Sequence, residues 1–204
     1  MSTRSKVKVQ LLVATTNRDK IREIRSLLAG TPVDLLTLSD IPPVAEPEET
    51  GETFQQNARL KARYYATHSG MLTVAEDSGL VIDALDGEPG VRSARFLRPD
   101  ASYPERFAAI FERLAQNPDR PRTARFVCAL TVVDGDRMVF ETIGTVEGAI
   151  ASAASGVRGF GYDPIFYYPL YQATLAQVDQ HQKLAIAHRG QAFRALAEWI
   201  RRKQ

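Results

Sequence analysis

Residues 7–28 constrain the fold most, because Val7–Ala14 alternates and then turns wholly apolar, and a polar turn leads straight from it into an amphipathic segment. The apolar run predicts a buried strand, and Ile21, Ile24, Leu27 and Leu28 predict a helix over Asp19–Leu28. Val33–Leu38 reads as the next strand, and Ser39–Gly51, with Pro42, Pro43 and Pro47, reads as loop. Thr53 and Gln56 have capping-box spacing and open a helix to about His68, with Phe54, Ala58, Ala62 and Tyr65 on one face. Ser102 and Glu105 repeat that spacing and start a helix through Gln116, which Asn117 and Pro118 end. Asp83–Pro99 between them is rich in Gly and Pro and is expected to be an ordered loop. Thr123–Val133 and Met138–Val146 are strand-like and joined through Asp134-Gly135, which suits a tight hairpin, so the sheet is expected to be mixed. A last helix, about Gln191–Arg202, would bury Phe193, Leu196, Ala197 and Ile200 and end in a basic turn. The class is α/β.

With 204 residues, 44% of them hydrophobic, the chain can bury one substantial core, and a single domain over 1–204 is expected. A formal charge of +2, with 26 scattered basic residues, argues against a dedicated nucleic-acid binder. Cys128, the lone cysteine, sits in an apolar run and reads as a buried, inert thiol in a reducing compartment. No apolar stretch reaches the roughly 18 residues that a membrane span needs. Ser2–Lys6 has no cleavage pattern after it, so a cytoplasmic location is expected.

The polar residues point to phosphate and metal chemistry. Glu76-Asp77-Ser78-Gly79 follows Leu72–Ala75, and two carboxylates in a loop after a strand suit either a metal site or a turn. Thr15-Thr16-Asn17-Arg18-Asp19-Lys20 would lie at the N-terminus of the first helix, where both an anion site and a plain helix cap fit. It has neither P-loop nor dinucleotide-fingerprint spacing. Glu48 and Glu49 end the Pro-rich loop, and Asn57 and Lys61 share a helix face beyond it. Gly159-Phe160-Gly161-Tyr162-Asp163-Pro164 sets an aromatic ring among flexible glycines, which suits either a loop that stacks on a flat base or an ordinary tight turn with an aromatic anchor. Lys183, His188 and Arg189 precede the last helix, and histidines at 68, 181 and 188 make no recognisable zinc set.

Taken in order, these motifs, with Glu49–Phe54, Asn57–Ala62, Pro89–Phe96 and His188–Gly190, resemble the inosine triphosphate pyrophosphatase family, also called dITP/XTP diphosphatases, over nearly the whole chain. The resemblance implies a two-lobed α/β fold around a long mixed sheet, a homodimer, and magnesium-dependent cleavage of deaminated purine nucleoside triphosphates to monophosphate and pyrophosphate. It further implies that Asp77 with Glu48 or Glu49 holds Mg2+ and that Asp77 activates the attacking water. On the same reading Thr15, Thr16, Asn17, Arg18, Asp19, Lys20, Lys61 and Lys183 cradle the triphosphate. Phe160, Gly161, Tyr162, Asp163, His188 and Arg189 would handle the base, and Ser78 completes the substrate-binding set. Two positions depart from the family pattern: Thr16 replaces a common Gly and Ala187 a common Ser, so changed affinity is expected. A phosphatase releasing orthophosphate and a non-catalytic nucleotide sensor are the other readings of these residues.

Overall fold

In the computed structural model, which describes residues 8–203, the opening strand, turn and helix take the expected form. Strand β1 (Val9–Val13) leads to helix α1 (Arg18–Leu27); Ile24 and Leu28 are buried, and Ile21 and Leu27 half-buried. Ser2–Lys6 and Val7 lie outside the described residues. Both capping boxes form: Thr53 caps α2 (Phe54–Ser69) and Ser102 caps α3 (Tyr103–Ala115), each with its partner three residues on. Helix α2 buries Phe54, Ala58, Ala62 and Tyr65 and stops at Gly70 in the left-handed region.

The other strands are β2 (Val33–Thr37), β3 (Thr73–Ile82), β4 (Thr123–Asp134), β5 (Arg137–Ile150), β6 (Phe166–Tyr168) and β7 (Ala173–Thr174). They form one seven-stranded sheet in the order β2-β1-β3-β4-β5-β6-β7. Strand β1 pairs parallel with β2 (Leu11 opposite Leu35) and with β3 (Leu12 opposite Thr73). Strand β6 is antiparallel to both β5 (Ile150 opposite Phe166) and β7 (Tyr167 opposite Thr174). The sheet is therefore mixed, and the turn joining β4 to β5 is Gly135-Asp136, one residue past the expected Asp134-Gly135, because Asp134 still belongs to β4.

The chain packs as two compact units. Unit 1 comprises residues 8–77, 129–143 and 192–203; unit 2 comprises 78–128 and 144–191. In unit 1, Leu12, Ala14, Ala62, Tyr65, Ala66, Ala75 and Val133 form a core between strand and helix faces. In unit 2, Leu80, Ile82, Phe107, Ile110, Phe126, Ile165 and Phe166 belong to a larger one. Strands β3, β4 and β5 give residues to both units, and unit 1 gives way to unit 2 at the Asp77–Ser78 peptide bond.

Three expectations need correction. The motif at Glu76–Gly79 is not a loop after a short strand, since β3 continues through it to Ile82. Eight of its ten residues are buried, so the alternation that marks a half-exposed strand is absent, and Glu76 and Asp77 have partners that let carboxylates stay inside. Next, Asp83–Pro99 contains two 3-10 segments, Asp83–Leu85 and Gly90–Arg95. Finally, the last helix α5 starts at His188, not Gln191, and is preceded by α4 (Gln180–Ile186), capped by Asp179 with Gln182. Among the described residues, no helix is long and apolar enough to cross a membrane.

Candidate active site

Two clusters of predicted site residues form, one in each unit.

In unit 1, β3 carries Glu76 and Asp77, α1 supplies Lys20, and α2 supplies Asn57 and Lys61. Lys20 Nζ lies 3.1 Å from Glu76 Oε1. Lys61 Nζ lies 2.7 Å from Glu49 Oε1 and 3.5 Å from Asp77 Oδ1. The other Asp77 oxygen accepts from Asn57 Nδ2 at 3.1 Å, while Asn57 Oδ1 accepts the Gly51 N–H at 2.8 Å. Asn57, fully buried, thus ties the loop carrying Glu49 to Asp77. A side chain at Gly51 would not fit, because its Cβ would lie 2.6 Å from Asn57 Oδ1. Asn57 is the main orienting residue that motif reading left without a role. Its sequence signal is its place four residues before Lys61, on the same helix face.

Burial pushes the Asp77 carboxyl above the ordinary carboxylate range, and Glu49 adds to the rise against the pull of Lys61, Lys20 and the Asn57 amide. Burial opposes the charged form of Lys61, but Asp77, Glu49 and Glu76 outweigh it and raise its pKa. A carboxylate that ionises reluctantly beside a firmly protonated lysine is a poised proton acceptor with a fixed cation next to it.

The α1 N-terminus is occupied from within. Asn17 Oδ1 accepts from the Asp19 and Lys20 N–H groups at 3.0 Å each, and Thr15 Oγ1 accepts from the Asn17 N–H at 3.2 Å. Asp19 pairs with exposed Arg22. Arg18 is exposed and lines a cavity of about 440 Å³ with Thr15, Thr16, Glu46 and Tyr65. Thr16 donates to Glu46 Oε1 at 2.9 Å and ties the turn to the Pro-rich loop. Glu48 is exposed, and among the described residues it makes no ion pair, whereas Glu49 converges with Asp77 on Lys61.

In unit 2, Lys183 Nζ pairs with Asp163 Oδ2 at 2.5 Å, both side chains being only 3% exposed. The same Asp163 oxygen accepts the Phe160 N–H at 2.8 Å. Gly159 has φ +70°, and a Cβ there would fall 2.1 Å from that oxygen, so the tight approach needs glycine. The Phe160 ring, half-buried, faces two cations, Lys183 Nζ at 4.7 Å and the Arg189 guanidinium at 5.5 Å. Arg189 Nη2 donates to Ser78 Oγ at 3.0 Å. His188 is buried and stacks on Phe126 at 4.9 Å. Lys183, expected with the phosphate-binding lysines, thus sits in unit 2 with the aromatic loop. Tyr162 points into the core, 4% exposed, with its hydroxyl on the Ser93 carbonyl at 2.8 Å, so Phe160 is the ring left to stack on a base. Ala187 is the buried cap residue of α4.

Among the described residues, no three His, Cys, Asp or Glu side chains group as a metal cage. Magnesium does not require one; it takes one or two carboxylates together with substrate phosphates. Glu49 and Asp77, sharing the Lys61 cation, are hard oxygen donors that already converge on positive charge, and they fit that demand.

Comparison with known proteins adds an independent line. A family model described as Ham1 family matches residues 11–199. A protein of Exiguobacterium sibiricum named dITP/XTP pyrophosphatase is 43% identical over 188 residues, spanning 92% of this chain and 95% of that protein. A Bacillus cereus protein of the same name is 42% identical over 193 residues, 94% of each. A solved structure of a HAM1 protein from Coxiella burnetii superposes with a TM-score of 0.87 at 36% identity, covering 95% of this chain and 99% of its own.

Proposed function

The chain belongs to the Ham1 family, and from that premise we propose that it is a nucleoside triphosphate pyrophosphatase that hydrolyses the non-canonical purine triphosphates ITP, dITP and XTP to monophosphate and pyrophosphate. The observation that carries this reading is Asp77, a buried carboxylate of raised pKa held by Asn57 and Lys61. A phosphoanhydride needs an activated water and positive charge on the departing phosphates. Asp77 takes the water's proton, while Lys61 and Lys20 stabilise the charge that develops on the phosphoryl oxygens.

Glu49 and Asp77 are the residues proposed to hold magnesium, with exposed Glu48 outside the pair. When bound, the ion would neutralise negative charge as the anhydride breaks. The family resemblance carries two further parts of the proposal, a homodimer and a cytoplasmic role in cleansing the nucleotide pool.

The base is assigned to unit 2. Phe160 offers a ring face, and Arg189, oriented by Ser78, offers donors to the oxygen at purine position 6. Adenine carries an amino group there and would leave those donors unpaired, which costs enough to separate substrates by about a hundredfold. Arg189→Ala is therefore expected to erode the preference for ITP over ATP by about ten- to a hundredfold in kcat/KM. Paired kinetics with the two nucleotides measure it, and an unchanged ratio removes Arg189 from base selection.

Product analysis tests the whole reading, using ITP, XTP, dITP, GTP and ATP with and without magnesium. Pyrophosphate and monophosphate from the deaminated purines, only with the metal, are expected. Orthophosphate would point to a phosphatase for another metabolite, and binding without turnover to a sensor.

A further inference from the structure

The segment Pro89–Phe96 stands out in the sequence, yet the chemistry above gives it no task. In unit 2 its Ser93 is a junction. Ser93 Oγ accepts the Leu80 N–H of β3 at 2.9 Å and donates to the Gly90 carbonyl at 2.6 Å. The Ser93 carbonyl accepts the Tyr162 hydroxyl at 2.8 Å and Arg106 Nη1 at 3.4 Å.

Arg106 is the unusual member. It lies in the first turn of α3, 4% exposed, with Nη2 on the Pro99 carbonyl at 3.3 Å and its guanidinium 5.0 Å from the Tyr103 ring centroid. Among the described residues no carboxylate pairs with it, and its Nε has no hydrogen-bond partner. A buried cation without a counter-ion, at the positive end of a helix, opposes stability on two counts, desolvation and dipole. Its position instead suits grip on two loop carbonyls beside Tyr162. The Tyr162 ring is enclosed by Tyr103 at 5.4 Å and Phe107 at 6.1 Å. Burial also raises the hydroxyl's pKa, against the pull of Arg106, so the group stays a donor. Tyr162 is flanked by Phe160, the ring assigned to the base, two positions before it, and by Asp163, which holds Lys183 and the Phe160 N–H, directly after.

We propose that Arg106 is a positioning residue for base recognition: through the Ser93 carbonyl it seats Tyr162, and the seated tyrosine holds Phe160 and Asp163 where the purine is read. This rests on the functional reading above.

Steady-state ITP hydrolysis and thermal melting of wild type, Arg106→Met, Arg106→Lys, Tyr162→Phe and the Arg106→Met/Tyr162→Phe double variant test it. Arg113→Met serves as control, since Arg113 also lies on α3 but packs over Phe96 and pairs with Glu88. Arg106→Met and Tyr162→Phe are each expected to raise KM for ITP about tenfold, the scale of one lost hydrogen bond, with a smaller change in kcat. Arg106→Lys should recover part of that loss, the double variant should be no worse than Arg106→Met alone, and Arg113→Met should keep its KM even if it melts lower. If Arg106→Met does not fold, the KM of Tyr162→Phe decides. An active wild type with unmoved KM in the variants, or effects that add in the double variant, would overturn the positioning role alone. A wild type that neither binds nor cleaves ITP would overturn the functional reading and this role together.

Discussion

Asp77→Asn is expected to lower turnover of ITP by about 10² to 10⁴ while nucleotide still binds, the usual worth of a positioned proton acceptor. The amide keeps the shape of the side chain but has one acceptor oxygen for two donors, Asn57 Nδ2 and Lys61 Nζ, and is a poorer magnesium ligand, so saturating magnesium is needed to isolate the loss of proton transfer. Single-turnover kinetics beside nucleotide titration measure both halves, and near-normal turnover would remove Asp77 from the chemistry. A pH profile supplies a second check. Because the carboxyl pKa is raised in the folded protein, Asp77 takes up its proton at a higher pH than an ordinary aspartate as acid is added. In the metal-free protein, titration of this carboxyl followed by NMR should therefore lie above the ordinary carboxylate range, and Asp77→Asn should lack it.

Lys61→Met is expected to lower kcat/KM by about 10² to 10³, as removal of one donor from a developing negative charge commonly does. It should also destabilise the protein by about 3–5 kcal/mol, since Glu49 and Asp77 would be left facing each other with no cation between them. The pH dependence follows from the shifts. The Lys61 pKa is raised by folding, so its contribution is complete below its unfolded value and fades only as pH rises through the folded one. At neutral pH the wild type thus has its full benefit. The variant has a buried carboxylate, Asp77, beside the half-buried Glu49 instead, and acid relieves their repulsion. Melting curves should show a deficit that narrows as pH falls from about 8 to about 5. A deficit that does not depend on pH would mean that packing, not charge, is what the lysine contributes.

Helix starts were the most legible part of the fold because a capping box is local. Thr53 with Gln56 and Ser102 with Glu105 need only their own three-residue spacing, and both form. The Asp179 and Gln182 box has the same spacing but is hard to pick out, because the seven-residue α4 behind it is too short to show a clear apolar period. Strand β3 is hard to read for another reason: burial on both faces erases alternation, and two acids look like the start of a loop until Lys20, Asn57 and Lys61 are seen around them. Pairings between distant residues were invisible. Lys183 reads as one more phosphate lysine, yet it meets Asp163, and only the positive-φ glycines 159 and 161 turn the loop so that Phe160 is presented and Tyr162 goes inside. Arg106 had no signal at all beyond being a basic residue in the first turn of a helix, where the dipole disfavours it.

The boundary between units at the Asp77–Ser78 peptide bond bears on how such an enzyme can diverge. The proposed water-activating carboxylate closes one unit, and the hydroxyl that orients Arg189 opens the other. A lineage can then drift in which base it prefers through changes at Phe160, Arg189 or the Arg106–Tyr162 seat while the acid–lysine cluster is inherited intact. An insertion between residues 77 and 78 is the change it cannot absorb, because inside a strand one extra residue reverses the face of every side chain that follows.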